Sequence, residues 1–299
     1  MPYHVLTLLD IPSAELGTLI SRGQEMKAHR AVSSILENKT LVMVFEKSST
    51  RTRVSFEIAI NELGGTSLFM TPAESQLGRS EPLKDTARCL SRYGHGMIVR
   101  TFAQTNLLEL TKFAQVPVIN ALSDLYHPCQ VLSDLMTISE WSSGFSGLTI
   151  CWIGDGNNMA HSWINAARLL PFRLRMATPQ GFGPQEKVVQ EAIQAGADIA
   201  LGHDPEAAVR EADFINTDAW YSMGQEEEED KRTRAFAPFQ VNGALLEKAP
   251  VGARVLHCLP AHRGQEITEQ VLESDRSLVW DQAENRLHMQ KALLEWIYS

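Results

Sequence analysis

Ser48, Ser49, Thr50, Arg51, Thr52 and Arg53 bring four hydroxyls and two guanidinium groups into six consecutive positions. They lie between the apolar run Thr40–Phe45 (TLVMVF) and a helical pattern that begins at Val54. Hydroxyls at a strand-to-helix turn cap the helix, whose first amides and dipole attract an anion. Two arginines add forked donors that match phosphate or carboxylate oxygens. In isolation such a loop is a helix cap flanked by surface arginines. Confinement between two core elements favours an anion site. It is not a nucleotide P-loop, because none of the 19 glycines precedes a lysine.

Further donors follow at similar places. Arg100 ends the run GMIVR, and His127-Pro128-Cys129-Gln130 follows the run PVINA and a short loop. Pro128 suits the first position of a helix, which puts His127 at its mouth and Gln130 one turn in. In the second half, GDGNN (154–158) looks at first like a dinucleotide fingerprint, but Met159 occupies the third glycine position. No acidic residue stands at 173–180, so a nicotinamide cofactor is disfavoured. Asp218 ends DFINTD, Ser222-Met223-Gly224 forms a turn-like triplet, and Cys258 ends the run RVLHC just before Leu259-Pro260. Alone, Asp218 is as readily a helix cap, the triplet an ordinary turn, and a cysteine after a β-run core packing, as Cys151 is expected to be.

The elements that must position these residues are legible from periodicity. Nine short runs rich in β-branched residues (TLVMVF, TSLFM, GMIVRT, PVINA, LTICWIG, RLRMA, ADIAL, DFINT, RVLHC) alternate with amphipathic helical stretches. This predicts an α/β chain of βαβ units with parallel sheets. WSSGFSG (141–147) punctuates the middle. We therefore expect one domain over 1–140, a second over 147–282, and a last helix from about Ala283 to Tyr298 with Met289, Leu293, Trp296 and Ile297 on one face. The acidic run Glu226–Asp230 reads as a solvated loop. In such sheets ligands bind beyond the carboxyl ends of the strands, where the candidate residues fall.

Composition narrows the function classes. The 299 residues are 44% hydrophobic and 21% charged, enough apolar material for two cores. No apolar run reaches membrane-span length. The net charge of -9 disfavours nucleic acid as a partner. The N-terminus lacks the pattern of a signal peptide, and four cysteines without a Cys-x-x-Cys pair suit a reducing cytoplasm. An acidic chain that binds an anion must concentrate its positive charge locally.

Taken in order, S-T-R-T-R (49–53), Arg100 and H-P-C-Q (127–130) resemble the carbamoyl-phosphate site of the aspartate/ornithine carbamoyltransferase family. GDGNNMAHS (154–162), DAWYSMG (218–224) and HCLPA (257–261) are similar to its ornithine branch. The likeness runs through ENRLH (284–288), and no motif position departs from it. It implies two doubly wound parallel-sheet domains, one for carbamoyl phosphate and one for ornithine, with the segment 283–299 packing back on the first. It also implies transfer of the carbamoyl group to the δ-amine of L-ornithine, giving L-citrulline and phosphate without metal or organic cofactor.

Residue by residue, the resemblance implies that Ser49, Thr50, Arg51, Thr52 and Arg53 hold the phosphate. Arg100, His127 and Gln130 address the carbamoyl group, with Cys258, Leu259 and Arg286 also at that end. Gln76 reaches a neighbouring subunit's site in a homotrimer. Asn158 takes the amino-acid carboxylate, Asp218 its ammonium, and Ser222 and Met223 close over ornithine. Arg100, His127, Asp218 and Cys258 carry the catalysis, the thiol being lowered by a nearby arginine so that it relays the proton of the δ-amine. Within the family, putrescine or aspartate as acceptor is the alternative, and outside catalysis a silent binding protein. The Ser-Met-Gly loop disfavours a diamine, HCLPA disfavours aspartate, and the full set of donors disfavours a silent chain.

Overall fold

The computed structural model describes residues 3–74, 81–221 and 229–299. Gln76, Ser222 and Met223 therefore lie outside the described residues. The chain divides into two units, Met1–Met136 with Glu284–Ser299, and Thr137–Ala283.

The first unit holds β1 (Thr40–Phe45), β2 (Thr66–Met70), β3 (Gly96–Arg100) and β4 (Val118–Leu122). They form a parallel four-stranded sheet in the order β2-β1-β3-β4. Helices α1 (Ser13–His29), α2 (Thr50–Glu62), α3 (Leu83–Tyr93), α4 (Gln104–Phe113) and α5 (Pro128–Trp141) connect and flank it. The central strands β1 and β3 are buried almost throughout, as apolar runs between two helical layers should be, whereas edge strand β2 is largely uncovered. Chain order reverses between β1 and β3. Phe45 pairs with Arg100, which pairs with Leu122 past a register shift in β3. The loops after β1, β3 and β4 thus emerge at one level.

The second unit repeats the plan with β5 (Thr149–Ile153), β6 (Arg173–Ala177), β7 (Asp198–Gly202), β8 (Phe214–Thr217) and β9 (Arg254–His257), in the order β7-β6-β5-β8-β9. Its helices are α6 (Asn158–Leu169), α7 (Glu186–Gln194), α8 (Pro205–Val209), α9 (Glu229–Phe236), α10 (Gly243–Leu246) and α11 (Glu269–Leu272). Ile153 pairs with Thr217, and Thr217 with His257. Register alone therefore sets Gly154, Asp218 and Cys258 side by side at the carboxyl edge, with the order reversing between β5 and β8. Cys151 is packing, fully buried in this unit's core.

The last helix, α12 (Val279–Tyr298), begins four residues before the expected Ala283, because the β-like stretch Leu278-Val279-Trp280 hides its start. The acidic run also differs from expectation. Its last two residues, Glu229 and Asp230, open α9. No helix of the described residues is long and apolar enough to cross a membrane.

From Glu284 onward α12 belongs to the first unit. Tyr298 Oη donates to His95 O at 2.8 Å. A side chain on Gly96 would meet that phenol, so glycine is needed there. Arg22 Nε donates to Glu295 at 2.7 Å. Lys291, fully buried, donates to Glu62 Oε2 at 2.6 Å and to Ala31 O. Burial works to raise the Glu62 carboxyl, and Lys291 and Arg30 outweigh it, holding it below the usual range. Breaking a buried pair leaves a charge without compensation. Lys291→Met should therefore lower unfolding free energy by about 3 kcal/mol, and Lys291→Met with Glu62→Leu by less than that single change. Denaturant titration checks both. A loss under about 0.5 kcal/mol would class the pair with surface contacts.

Candidate active site

In the first unit the predicted donors gather at the carboxyl edge of the sheet. Ser49 caps α2, its hydroxyl accepting from Thr52 N at 3.3 Å. Thr50 opens the helix and is exposed, Arg51 is half-buried, and Thr52 is fully buried. The helix N-terminus thus carries hydroxyl and guanidinium groups on its first turn, the arrangement an anion requires. Arg53 is directed elsewhere. Its Nε donates to Glu57 at 2.9 Å, one turn along the helix, and its guanidinium lies 3.8 Å from the Phe69 ring centre.

Arg286, buried on α12, ties three elements together. It donates to Thr52 Oγ1 at 2.6 Å and to Gln130 Oε1 at 3.0 Å. Gln130 in turn donates through Nε2 to the buried Asp134 at 2.8 Å, which orients its amide. Arg100 ends β3, and His127 precedes α5 with only 5% exposure. Burial first, then the charges of Arg286 and Arg100, push the His127 imidazole well below its ordinary pKa. It is a neutral ring at neutral pH, able to give a hydrogen bond without bringing a charge.

Lys47, within the opening loop but not singled out by sequence, joins this cluster. Its ammonium sits 4.4 Å from the Phe102 ring centre. Burial and the Arg100 charge lower its pKa, against the pull of Asp124 and Glu46. Cys129 packs beside the cluster, donating to Asn120 O, and burial pushes its thiol up to about 12. It is inert packing.

The second unit builds its site around one carboxylate. Asp218 Oδ1 accepts from its neighbour Ala219 N at 2.8 Å and from Cys258 Sγ at 3.0 Å. Its Oδ2 accepts from Asn157 Nδ2 at 3.1 Å. One contact of the thiol is thus with a carboxylate. In this arrangement the sulfur holds the proton and Asp218 is the acceptor.

Asn157, which sequence reasoning passed over for Asn158, also caps α6 by accepting from Met159 N and Ala160 N. The doublet itself was the only available signal. Asn158, half-buried, opens that helix. The GDG turn is no dinucleotide cradle, since Gly156 N already donates to Phe182 O at 2.8 Å. A Cβ on Gly156 would lie 2.1 Å from the Gly183 and Pro184 backbone, so this glycine admits the chain itself.

Behind Cys258 stands a buried dyad that spacing alone does not reveal. His257 Nδ1 accepts from Leu259 N at 2.9 Å, which leaves Nε2–H to donate to Glu266 Oε1 at 3.0 Å. Gln282 Oε1 accepts from His257 N at 2.8 Å. Leu259 has φ 56°, a left-handed backbone that non-glycine residues adopt at a cost of about 1–3 kcal/mol. The dyad holds that turn and so aims the thiol. Asp218, His257 and Cys258 offer donor atoms within 4.8 Å of one another. Both nitrogens of His257 are committed to Leu259 and Glu266, so within the trio the hydrogen bond is that of Cys258 to Asp218.

Known proteins share this sequence pattern and fold. Residues 3–140 match the model for the carbamoyl-phosphate-binding domain of aspartate/ornithine carbamoyltransferases, and residues 146–297 match their Asp/Orn-binding domain. The ornithine carbamoyltransferase of Oleidesulfovibrio alaskensis is 56% identical over 297 residues, 99% of each chain. That of Nitratidesulfovibrio vulgaris is 53% identical over all 299 residues, the full length of both. Among solved structures, ornithine carbamoyltransferase from Pyrococcus furiosus superposes with a TM-score of 0.93 at 46% identity, covering 98% of this chain and 96% of that one. The anabolic enzyme from Campylobacter jejuni gives 0.92 at 40%, covering 98% of each. With both domains matched along nearly its whole length, this chain belongs to the aspartate/ornithine carbamoyltransferase family.

Proposed function

We propose that the chain transfers the carbamoyl group of carbamoyl phosphate to the δ-amine of L-ornithine, releasing L-citrulline and phosphate. The hydrogen bond of Cys258 to Asp218 carries this reading, because it places a proton acceptor and a thiol at adjacent strand ends where an amine must be deprotonated. The δ-ammonium titrates near 10, so at neutral pH it must give up a proton before it can attack. Asp218 takes that proton, with Cys258 as its relay. The nitrogen then bonds to the carbonyl carbon, the bond from that carbon to the bridging oxygen breaks, and its electron pair leaves with phosphate, which also takes the second proton.

Charge builds on the carbonyl oxygen during attack. Arg100, neutral His127, Thr52 and Gln130 are its stabilisers, with Arg286, Cys258 and Leu259 completing the carbamoyl end. Each such donor is worth roughly 3–4 kcal/mol in well-studied oxyanion sites. Ser49, Thr50, Arg51, Thr52 and Arg53 hold the phosphate, Arg53 by turning from Glu57. Asn158, Ser222 and Met223 hold ornithine with Asp218. The carbamoyl-phosphate domain spans 1–140 with 283–299 returning to it, and the ornithine domain spans 147–282.

A homotrimer in which Gln76 reaches a neighbouring site fits the exposed apolar residues Val54 and Ile58, one turn apart on α2, and Leu68 on edge strand β2. Free cysteines fit a reducing cytoplasm.

Purified chain given carbamoyl phosphate should convert L-ornithine to L-citrulline and phosphate in equal amounts. Putrescine and L-aspartate should react at least about 1000-fold more slowly, since each leaves polar groups of the site unpaired. Carbamoyl-putrescine or carbamoyl-aspartate as main product, or no product at all, contradicts the proposal.

Neutral His127 has a second consequence. Its folded pKa is lowered, so the unfolded state takes up the proton first as pH falls. This contribution to stability is intact above about pH 6.5 and is lost progressively below it, toward the lowered folded value. Between pH 6.5 and 5.5, His127→Gln should lose about 1 kcal/mol less stability than the parent. Equal stability losses in parent and variant between the two pH values, read by denaturant titration, would mean that His127 takes up its proton as readily in the fold as in the unfolded chain.

A further inference from the structure

Asp155 lies in the turn after β5, two residues before Asn157. Its Oδ2 accepts from Arg232 Nη2 at 2.8 Å and Nη1 at 3.3 Å. Both side chains are nearly buried, 14% and 7% exposed. The Arg232 guanidinium is flanked by Phe182 and Phe236, 5.1 and 5.4 Å from their ring centres. Phe236 in turn packs on Trp220 at 6.0 Å, two residues beyond Asp218. A Cβ on Gly154 would stand 3.8 Å from Asp218 O, so the two carboxylate-bearing turns are in contact. Burial raises the Asp155 carboxyl to about 6, with Arg232 opposing and the Asp218 charge adding to the rise.

Two carboxylates thus share one strand edge, and among the described residues only Asp155 has a resident cation. We infer that Arg232 and Asp155 are a positioning pair for the amino-acid acceptor: Arg232 neutralises Asp155, which leaves the charge of Asp218 for the substrate ammonium. Losing Asp155 turns Arg232 into a local counter-ion that competes with the ammonium for Asp218. Losing Arg232 leaves two carboxylates close together, of which one must take a proton. Removing both restores the balance. This inference rests on Asp218 as the ammonium partner.

The test is equilibrium binding of L-norvaline, which keeps the α-ammonium and lacks the δ-amine, at saturating carbamoyl phosphate on the full chain. Asp155→Asn should weaken norvaline about tenfold, with carbamoyl-phosphate affinity within about twofold of the parent. Asp155→Asn with Arg232→Gln should recover to within about threefold of the parent, which a purely structural role would not produce. Arg232→Lys, which keeps the charge, should bind nearly as the parent does and covers the case where Asp155→Asn fails to fold. Unchanged binding by Asp155→Asn, a double variant no better than the single, or a lysine variant as weak as Arg232→Gln overturns the inference alone. A parent chain that binds carbamoyl phosphate but no norvaline overturns the reading of Asp218, and this inference with it.

Discussion

One carboxylate organises the second unit. Asp218 receives a thiol from the end of β9, an amide from the turn after β5 and a backbone N–H from its own turn. Three donors on one group would normally be read as a neutral structural bond, yet all three sit at the edge where parallel sheets bind ligands. The second unit can be described as what is needed to keep them there. Register sets the strand ends level, Asn157 spans from helix cap to carboxylate, and the His257–Glu266 dyad fixes the left-handed turn that carries Cys258.

The first unit solves the opposite electrostatic problem. An acidic chain must gather cations for a dianion, and it does so by burial and by spreading them over several elements. Arg286 comes from the last helix, Arg100 from β3 and Lys47 from the turn after β1. Burial first, and the neighbouring arginine charges after it, lower both Lys47 and His127. Arg286 also explains why the final helix returns to this unit: its guanidinium is the common partner of Thr52 and Gln130.

Much of this is legible in the sequence. All nine β-branched runs are strands, and the central ones announce themselves because buried parallel strands must be apolar along their length. The start of α12 was hidden because Leu278, Val279 and Trp280 read equally as a strand. Candidate site residues with a spacing signature could be named from sequence: Ser49 to Arg53, Arg100, His127, Gln130, Asp218 and Cys258. Those that act through tertiary contact could not. Glu266 meets His257 from a loop without regular structure, Arg232 reaches Asp155 across 77 positions, and Asn157 differs from its chosen neighbour only in which way its side chain faces. The bond of Cys258 to its partner Asp218 is invisible for the same reason, since the two lie 40 positions apart.

That partner defines the central claim, that the amine is deprotonated by Asp218 with the Cys258 thiol as its relay. Cys258→Ala measures it most directly, with turnover followed across pH and carbamoyl-phosphate affinity determined at equilibrium. Turnover should fall about a hundredfold with an altered pH profile, ornithine should bind somewhat more weakly, and carbamoyl phosphate should lose far less affinity than turnover loses rate, since Cys258 is only one of its proposed contacts. A variant that melts earlier yet turns over ornithine normally at every pH would show that the thiol is packing and that the proton leaves by another route.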